Sequence, residues 1–533
     1  MKKQLSLLCA LFFSVLSLQA DIPWAPSFAI TDLTGIDAAS PHIAVTPNGD
    51  AAAVWYYEDE VTGFRTVQGA TKSKNGEWTN YHIFSTNTIS DAPYIALDAS
   101  GNGVVVWTES TSSGPGSHRT VRAAQLLNGA WTSSTEISDH NSNADSPSVG
   151  LDANGNAIAI WNGRVGFAQV VQSRTMNGGV WGATTNLSDS SQNTTNPQIG
   201  VNANGNAVAV WERPDGVHYV IQSKSLISGT WDVSATDLSD TSQDAFGPQI
   251  AVTNNKAVAV WRRDDGSGLI FIVTSKTKTM PSGTWDAIAQ DLSDASTTVN
   301  PHISLDTNSN GVAVWQGKND LALASYRIQA IEYINGSWNF PTVTISDIAH
   351  DNENPQVAVD FLTGDAVAIW QQEIGIDNYV IQTASLPFNG NWSPIRDLSP
   401  NPPNGITPQD PQVAMDANGV PSAVWTQNGS PYNIWYDSTT VPVQPPTSLS
   451  GKQKNDNFGT LSELFNQLKW NASLSDDITG YAIYRNGTLI ATVGSNVFRY
   501  EDHNRKKGQS TTYGVAAINA SGSQSSQITI TIH

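Results

Sequence analysis

Eight times along the chain a proline-led segment alternates like a strand, passes a turn and ends in tryptophan: PHIAVTPNGDAAAVW, PYIALDASGNGVVVW, PSVGLDANGNAIAIW, PQIGVNANGNAVAVW, PQIAVTNNKAVAVW, PHISLDTNSNGVAVW, PQVAVDFLTGDAVAIW and PQVAMDANGVPSAVW. The tryptophans stand at 55, 107, 161, 211, 261, 315, 370 and 425, a period of 50 to 55 residues. A fixed period of that length is a repeat architecture. Strand patterns at this period, with no helix pattern, are what one blade of a β-propeller requires.

Four strand-like pieces follow one another within a repeat. Strand A is the proline-led run, for example 197–201, and strand B the run into the motif tryptophan, for example 207–211. Asn-Gly joins them in several repeats, as at Asn154-Gly155 and Asn204-Gly205, which predicts a two-residue hairpin turn with both residues at positive φ. Strand C is a run such as 219–223 or 379–383, and a glycine turn then leads to a second tryptophan and strand D.

The second tryptophan set decides closure. It occurs at 78, 131, 181, 231, 285, 338 and 392, and an eighth copy, Trp24, precedes the first strand A. The last repeat lacks this piece, so the N-terminal segment is expected to supply strand D of the last blade and leave no open seam. The expectation is an all-β chain: an eight-bladed propeller closed by an N-terminal strand. The two sets account for 16 of the 18 tryptophans. A ring at the same strand position in every blade is core packing between neighbouring sheets rather than a row of sugar platforms. The small fourth residue of strand A (Ala44, Ala96, Gly150, Gly200, Ala251, Ser304, Ala358, Ala414) reads the same way, as room for sheets to converge near an axis.

Residues 1–20 open with Lys2 and Lys3, continue as LSLLCALFFSVLSL and end at Ala20, the pattern of a secretory signal peptide. Cys9, the one cysteine, lies inside it, so the mature chain is expected to hold no disulfide and no cysteine metal site. No later apolar run approaches a membrane span. Export to the periplasm, cell surface or medium of a bacterium follows, with at most peripheral attachment.

Charge separates two parts of the chain. Of 27 basic and 47 acidic residues, the signal holds 2 basic ones and 441–533 holds 8 basic and 6 acidic; residues 21–440 keep 17 and 41, a net −24. Such a body disfavours nucleic acid and anionic membrane as partners.

After the VPVQPP linker the chain reads LKWNAS, ITGYAIYRNGTLIATV, FRYEDHN and TTYGVAAINASGSQSSQITITI. Residues 441–533 hold a linker and then, over roughly the last 90 residues, a stretch that resembles a bacterial fibronectin type III domain, with Trp470, Tyr481 and Tyr484 before Asn486-Gly487, and Tyr513 with Asn519. That resemblance implies a seven-stranded sandwich used as a spacer or adhesive module, without catalysis. The repeat form VxVDANGNAVAVW, followed by strand C and a WxxxxxLSD segment, is similar to a group of secreted bacterial repeat proteins to which no activity is attached.

Catalytic and metal signatures are weak. A sialidase-like site would need an arginine cluster, a Tyr nucleophile with a carboxylate, and Asp boxes; here the Gly-to-Trp spacing is six, as from Gly155 to Trp161, and the arginines are scattered. Asp152-Ala153-Asn154-Gly155-Asn156 starts like a calcium loop, but its Gly comes too early and no Glu closes it. His42 and His302 share a repeat position in blades expected not to touch. A Ser-Asp pair at 90, 138, 188, 239, 293 and 346 is expected to cap turns at the end of strand D. No catalytic residue, metal or cofactor is assigned.

The repeats disagree in the B–C connections and in the two positions after each motif tryptophan: Tyr56-Tyr57, Thr108-Glu109, Asn162-Gly163, Glu212-Arg213, Arg262-Arg263, Gln316-Gly317, Gln371-Gln372 and Thr426-Gln427. Loops on a rigid scaffold are where binding residues sit. Repeats four and five combine both charge signs with an aromatic in Glu212, Arg213, His218, Tyr219, Arg262, Arg263, Asp264 and Asp265, the candidate ligand-binding set for a polar or acidic ligand. The competing reading is a solvated salt-bridge patch. The function expected is a secreted or surface-associated binding and adhesion protein presenting one loop-rich face to a glycan or protein. The alternatives are a carbohydrate-active hydrolase or lyase and a structural envelope component.

Overall fold

Alternating apolar and small residues flanked by turn formers yield strands throughout, and no helix occurs among the described residues. The computed structural model describes residues 24–533 except 26, 32–35, 60, 75, 86–87, 111–117, 141–142, 295, 319–324, 376–377, 400–406, 428–431, 439–442, 444, 459–460, 474, 476–477, 520–523 and 526. The expected signal at 1–20 and most of the linker at 439–444 lie outside the described residues.

In repeat four, strands A (Thr195–Val201), B (Ala207–Pro214) and C (Tyr219–Ile227) form an antiparallel sheet, completed by the short D pieces Thr230–Trp231 and Thr236–Asp237. The same A-B-C-D order recurs in the other repeats, and the architecture is propeller-like. The sheets of repeats one and two are bridged through Arg65 and Ile89 into one of nine strands. In the last repeat, Phe28–Ala29 pairs antiparallel with Tyr436 and Trp435, in the place of strand D.

Strand A begins earlier than the proline-led reading predicts. It runs through a bulge at the residue before the proline, where the register slips, as between Thr195 and Gln198. That residue is left-handed in all eight repeats: Ser40 (φ 50°), Ala92 (49°), Ser146 (52°), Asn196 (52°), Gly247 (63°), Asn300 (51°), Asn354 (50°) and Asp410 (54°). Proline cannot donate to the ladder and disfavours the right-handed helical region in the residue before it, so the chain takes up the extra residue there. Each non-glycine case costs on the order of 1 kcal/mol, offset by burial of the proline that follows.

The A–B turns also differ from expectation. Asp152 N donates to Asn156 O and Gly155 N to Asp152 O, and only Gly155 (φ 75°) turns left-handed; Asn154 does not. This is a type I turn with a glycine bulge. It forms because Asp152 Oδ1 accepts from both Asn154 N and Asn156 N at 2.8 Å, while Oδ2 accepts from Asn156 Nδ2. The carboxylate that began like a calcium loop is thus occupied by local donors.

The core lies between repeats. One cluster joins Val104, Val106, Val121 and Ile137 of repeat two to Val149, Ala157, Ala159 and Trp161 of repeat three, with Trp181 against it. Eight clusters of this kind occur among the described residues, each holding one motif tryptophan and one of the second set. The cluster of Trp55 and Trp78 takes Val424, Ile434 and Tyr436 from the last repeat. All eight motif tryptophans are 0% exposed. Strands A approach closely enough that a Cβ on Gly200 would stand 2.5 Å from Val252 Cγ2 of the next repeat.

Residues 447–532 form a separate pair of sheets. One orders Thr447–Phe458, Leu461–Asn471 and Arg499–Asp502; the other orders Thr488–Gly494, Ile478–Arg485, Thr511–Asn519 and Ile528–Ile532. Their shared core holds Leu468, Trp470, Tyr481, Ile483, Tyr513 and Val515. Burial and the bond to Asp502 push the Tyr513 phenol up to about 12.

Candidate functional site

Hydrogen bonding tells structural polar groups from free ones. The indole N–H of the motif tryptophan donates to a strand-C glutamine: Trp161 to Gln172 at 3.1 Å, Trp211 to Gln222 at 3.2 Å, Trp315 to Gln329 at 2.9 Å and Trp370 to Gln382 at 3.2 Å. Gln172, Gln222 and Gln382 then donate to Asn186, Asp237 and Asp397 on strand D. In repeat five the facing residue is Thr274, too short to reach, and Trp261 Nε1 has no acceptor among the described residues. In repeat two Arg122 faces Trp107, whose indole meets Glu109 at 3.4 Å.

The Ser-Asp pairs divide their work. Ser138, Ser188, Ser239, Ser293 and Ser346 accept from strand-C amides (Val121, Val171, Ile221, Val273 and Ile328), which ties D to C rather than capping a turn. Asp189, Asp240 and Asp347 do cap, accepting from the amide two residues on. Ser90-Asp91 is not at the end of strand D at all: it lies in strand A of repeat two (Ile89–Leu97), and Asp91 pairs with Arg65 and Arg119.

His42 and His302, which share a repeat position, sit alike in their repeats. Each accepts a backbone N–H from the following repeat at 3.4 Å, Ile95 to His42 Nδ1 and Val357 to His302 Nδ1, and His42 stacks on Tyr94 with centroids 3.8 Å apart. Burial, with the charge of His302 adding to it, pushes His42 down to about 3; burial alone pushes His302 to about 4. Both rings are half-buried.

The eight candidate residues of repeats four and five separate into three groups. Arg213 and Arg263 face strand D of their own sheets and pair with Asp237 at 3.0 Å and Asp291 at 2.7 Å. Asp264 and Asp265 are turn caps in the B–C hairpin, accepting from Gly266 and Gly268 and from Ser267, and the bonds from Ser267 hold the Asp265 carboxyl below its ordinary value. His218 Nδ1 lies 3.1 Å from Thr241 O, a local turn contact. These five do not converge on a ligand.

Glu212, Arg262 and Tyr219 do converge. Glu212 is 4% exposed and accepts from Thr195 Oγ1 at 3.0 Å, Asn196 Nδ2 at 2.8 Å and Gly247 N at 2.6 Å. Arg262, at the same position one repeat later, lies over Phe246 at 5.4 Å and Phe271 at 4.9 Å and donates to no acceptor among the described residues. Burial pulls its guanidinium below the ordinary value, while the charges of Glu212 and Tyr326 oppose that. Tyr219, 41% exposed, has its ring 5.2 Å from Phe246, which is 6.2 Å from Phe271. Sequence reasoning missed Phe246 and Phe271. The signal for Phe246 was a ring just before a proline-led strand, where other repeats carry Asp91, Asp145 or Thr195.

No family model matches the chain, and no curated protein matches it. Among solved structures, the polysaccharide lyase Uly1 is similar at 9% identity and a TM-score of 0.43, over 80% of this chain and 94% of that one. The β-propeller domain of the Trilobed protease from Pyrococcus furiosus is similar at 9% identity and a TM-score of 0.40, over 70% and 97%. A protein of unknown function from Dyadobacter fermentans is similar at 10% identity and a TM-score of 0.40, over 78% and 98%. Similarities this low bear on neither blade number nor activity. No helix of the described residues is long and apolar enough to cross a membrane.

Proposed function

We propose that this chain is an exported binding protein. Residues 1–20 act as its signal peptide, 21–440 form an eight-bladed β-propeller closed by the N-terminal strand, and 441–533 carry a linker and a fibronectin type III domain that tethers or spaces it. Pairing of Phe28–Ala29 with the last repeat and the core shared by the last and first repeats support the closed ring. Two facing sheets around Trp470, Tyr481 and Tyr513 support the sandwich. The loop face at repeats four to six takes a glycan or protein ligand bearing negative charge. One observation carries this: Arg262, a partly buried cation framed by aromatic rings, has its donor fork unfilled among the described residues. Binding to a glycan and host-surface array without turnover, lost when the hairpin at 264–270 is shortened, is the expected result. Binding that survives the shortening would move the site away from this face.

A second reading, a carbohydrate-active hydrolase or lyase, has one observation in its favour. Burial raises the Glu109 carboxyl, against the pull of Arg122, and the pair opens on a cavity of about 340 Å³ lined also by Ser85, Thr88 and Ser134. Glycan turnover abolished by Glu109→Gln would establish that reading over the first.

A further inference from the structure

Arg262 stands apart from its neighbours in what it lacks. Arg213 and Arg263 commit their forks to Asp237 and Asp291, and the oxygens of Glu212 accept from three neutral donors, so Glu212 acts on Arg262 through its charge alone and the Arg262 fork meets no acceptor among the described residues. A partly buried guanidinium whose donors meet no acceptor raises the free energy of the unliganded protein, and an anion that supplies two coplanar acceptors lowers that penalty. The surroundings limit how much charge the anion can carry. Glu212, Asp264 and Asp265 flank the position, so at this point a singly charged carboxylate fits where a dianionic phosphate is repelled.

The rings narrow the ligand further. Tyr219, Phe246 and Phe271 make a partly exposed row with centroid spacings of 5.2 and 6.2 Å. Aromatic faces carry negative charge density and attract polarised C–H groups, which the flat side of a pyranose presents. An acidic peptide presents no such flat C–H face, although strand A (Ala245–Val252), which carries Phe246, is an edge of sheet five. The next repeat offers a second cation on a ring, Lys318 over Tyr326 at 4.3 Å, and Tyr326 lies within electrostatic reach of Arg262. Two such units in neighbouring repeats suit a chain of charged sugars better than one sugar.

We infer that the loop face binds a uronate-containing polysaccharide, with a carboxylate held by the Arg262 fork and sugar faces packed on Phe271 and Tyr219. This rests on the loop-face reading above and deepens it.

The test is calorimetric titration of the full chain with oligogalacturonate, oligomannuronate, oligoguluronate and glucuronate-containing oligosaccharides, each also as its methyl ester. At least one acid form should bind and lose at least about tenfold in affinity on esterification and in Arg262→Ala, the order expected for a hydrogen-bonded charge. Arg262→Lys, which keeps charge but not the fork, should fall between. Arg213→Ala should bind like the parent, and a melting curve for each variant reports folding. The inference is overturned if no oligouronate binds, or if binding ignores both the ester and the Arg262 variants. If a neutral glycan or protein binds instead and loses affinity on shortening 264–270, the uronate inference alone falls. If shortening leaves such binding unchanged, the loop-face reading falls with it.

Discussion

Residues 207–210 of repeat four and 257–260 of repeat five are the same Ala-Val-Ala-Val run, fully buried in both. Just past the tryptophan that ends each run, Glu212 and Arg262 occupy the same register position with opposite charge and opposite fates. The residue facing them on strand A explains why. Thr195 faces Glu212 and donates to it, whereas Phe246 faces Arg262 and offers only a ring. One scaffold therefore supports a closed polar group in one repeat and an open one in the next, and the choice is made by a neighbour on another strand.

The comparison predicts that the inner half of strand B carries more stability than the outer half. Trp211→Ala should cost about 3–5 kcal/mol, read as a lower denaturant midpoint with an unchanged slope. A loss of similar size from Arg262→Ala would erase the distinction.

Next in size is the contrast between the two charges. Glu212→Ala strands the donors of Thr195, Asn196 and Gly247 and should cost about 1–3 kcal/mol. Arg262→Ala should leave the melting temperature unchanged or raise it, since it removes a charge that burial disfavours. Equal losses in the two variants would mean that Arg262 has a partner in solution.

A smaller effect appears only in acid. His42 and His302 have folded values near 3 and 4, below the 6.5 of the unfolded chain, so between these limits the unfolded state binds more protons. Stability should therefore fall as the pH drops from about 6.5 towards 4. Gln at both positions, the residue that Gln198, Gln249, Gln356 and Gln412 place after the proline of their repeats, should flatten that dependence. An unchanged pH profile in the double variant would place these rings in a solvated setting.

The smallest change is expected from the paired arginines. Arg213→Ala and Arg263→Ala each break a partly exposed ion pair and should cost less than about 1 kcal/mol. A loss of several kcal/mol in either would show that the strand-D contact is structural.

Much of this was legible beforehand. Strand order, the tryptophan pairs and the tight approach at Gly200 follow from alternation and side-chain size, which a single chain displays. The site was legible only as a location. Its two most useful rings, Phe246 and Phe271, carry no motif, and five of its eight candidates proved to be local caps or ion pairs. The bulge before each proline was hidden because left-handed φ at Ser40, Ala92 or Asp410 is not signalled by the residue itself.

By itself the sequence determined the repeat length, the A-to-D strand order and the buried tryptophans, because alternation, turn chemistry and ring size act over a few neighbouring residues. Only the tertiary structure decided which polar groups are free. Asp237 lies 24 residues from Arg213 and Asp291 lies 28 from Arg263, while Gly247 lies 35 from Glu212, so each partner arrives from another strand or the next repeat. Hydrogen bonds and ion pairs depend on separations of an ångström or less, and sheet-to-sheet packing sets those distances where local pattern cannot.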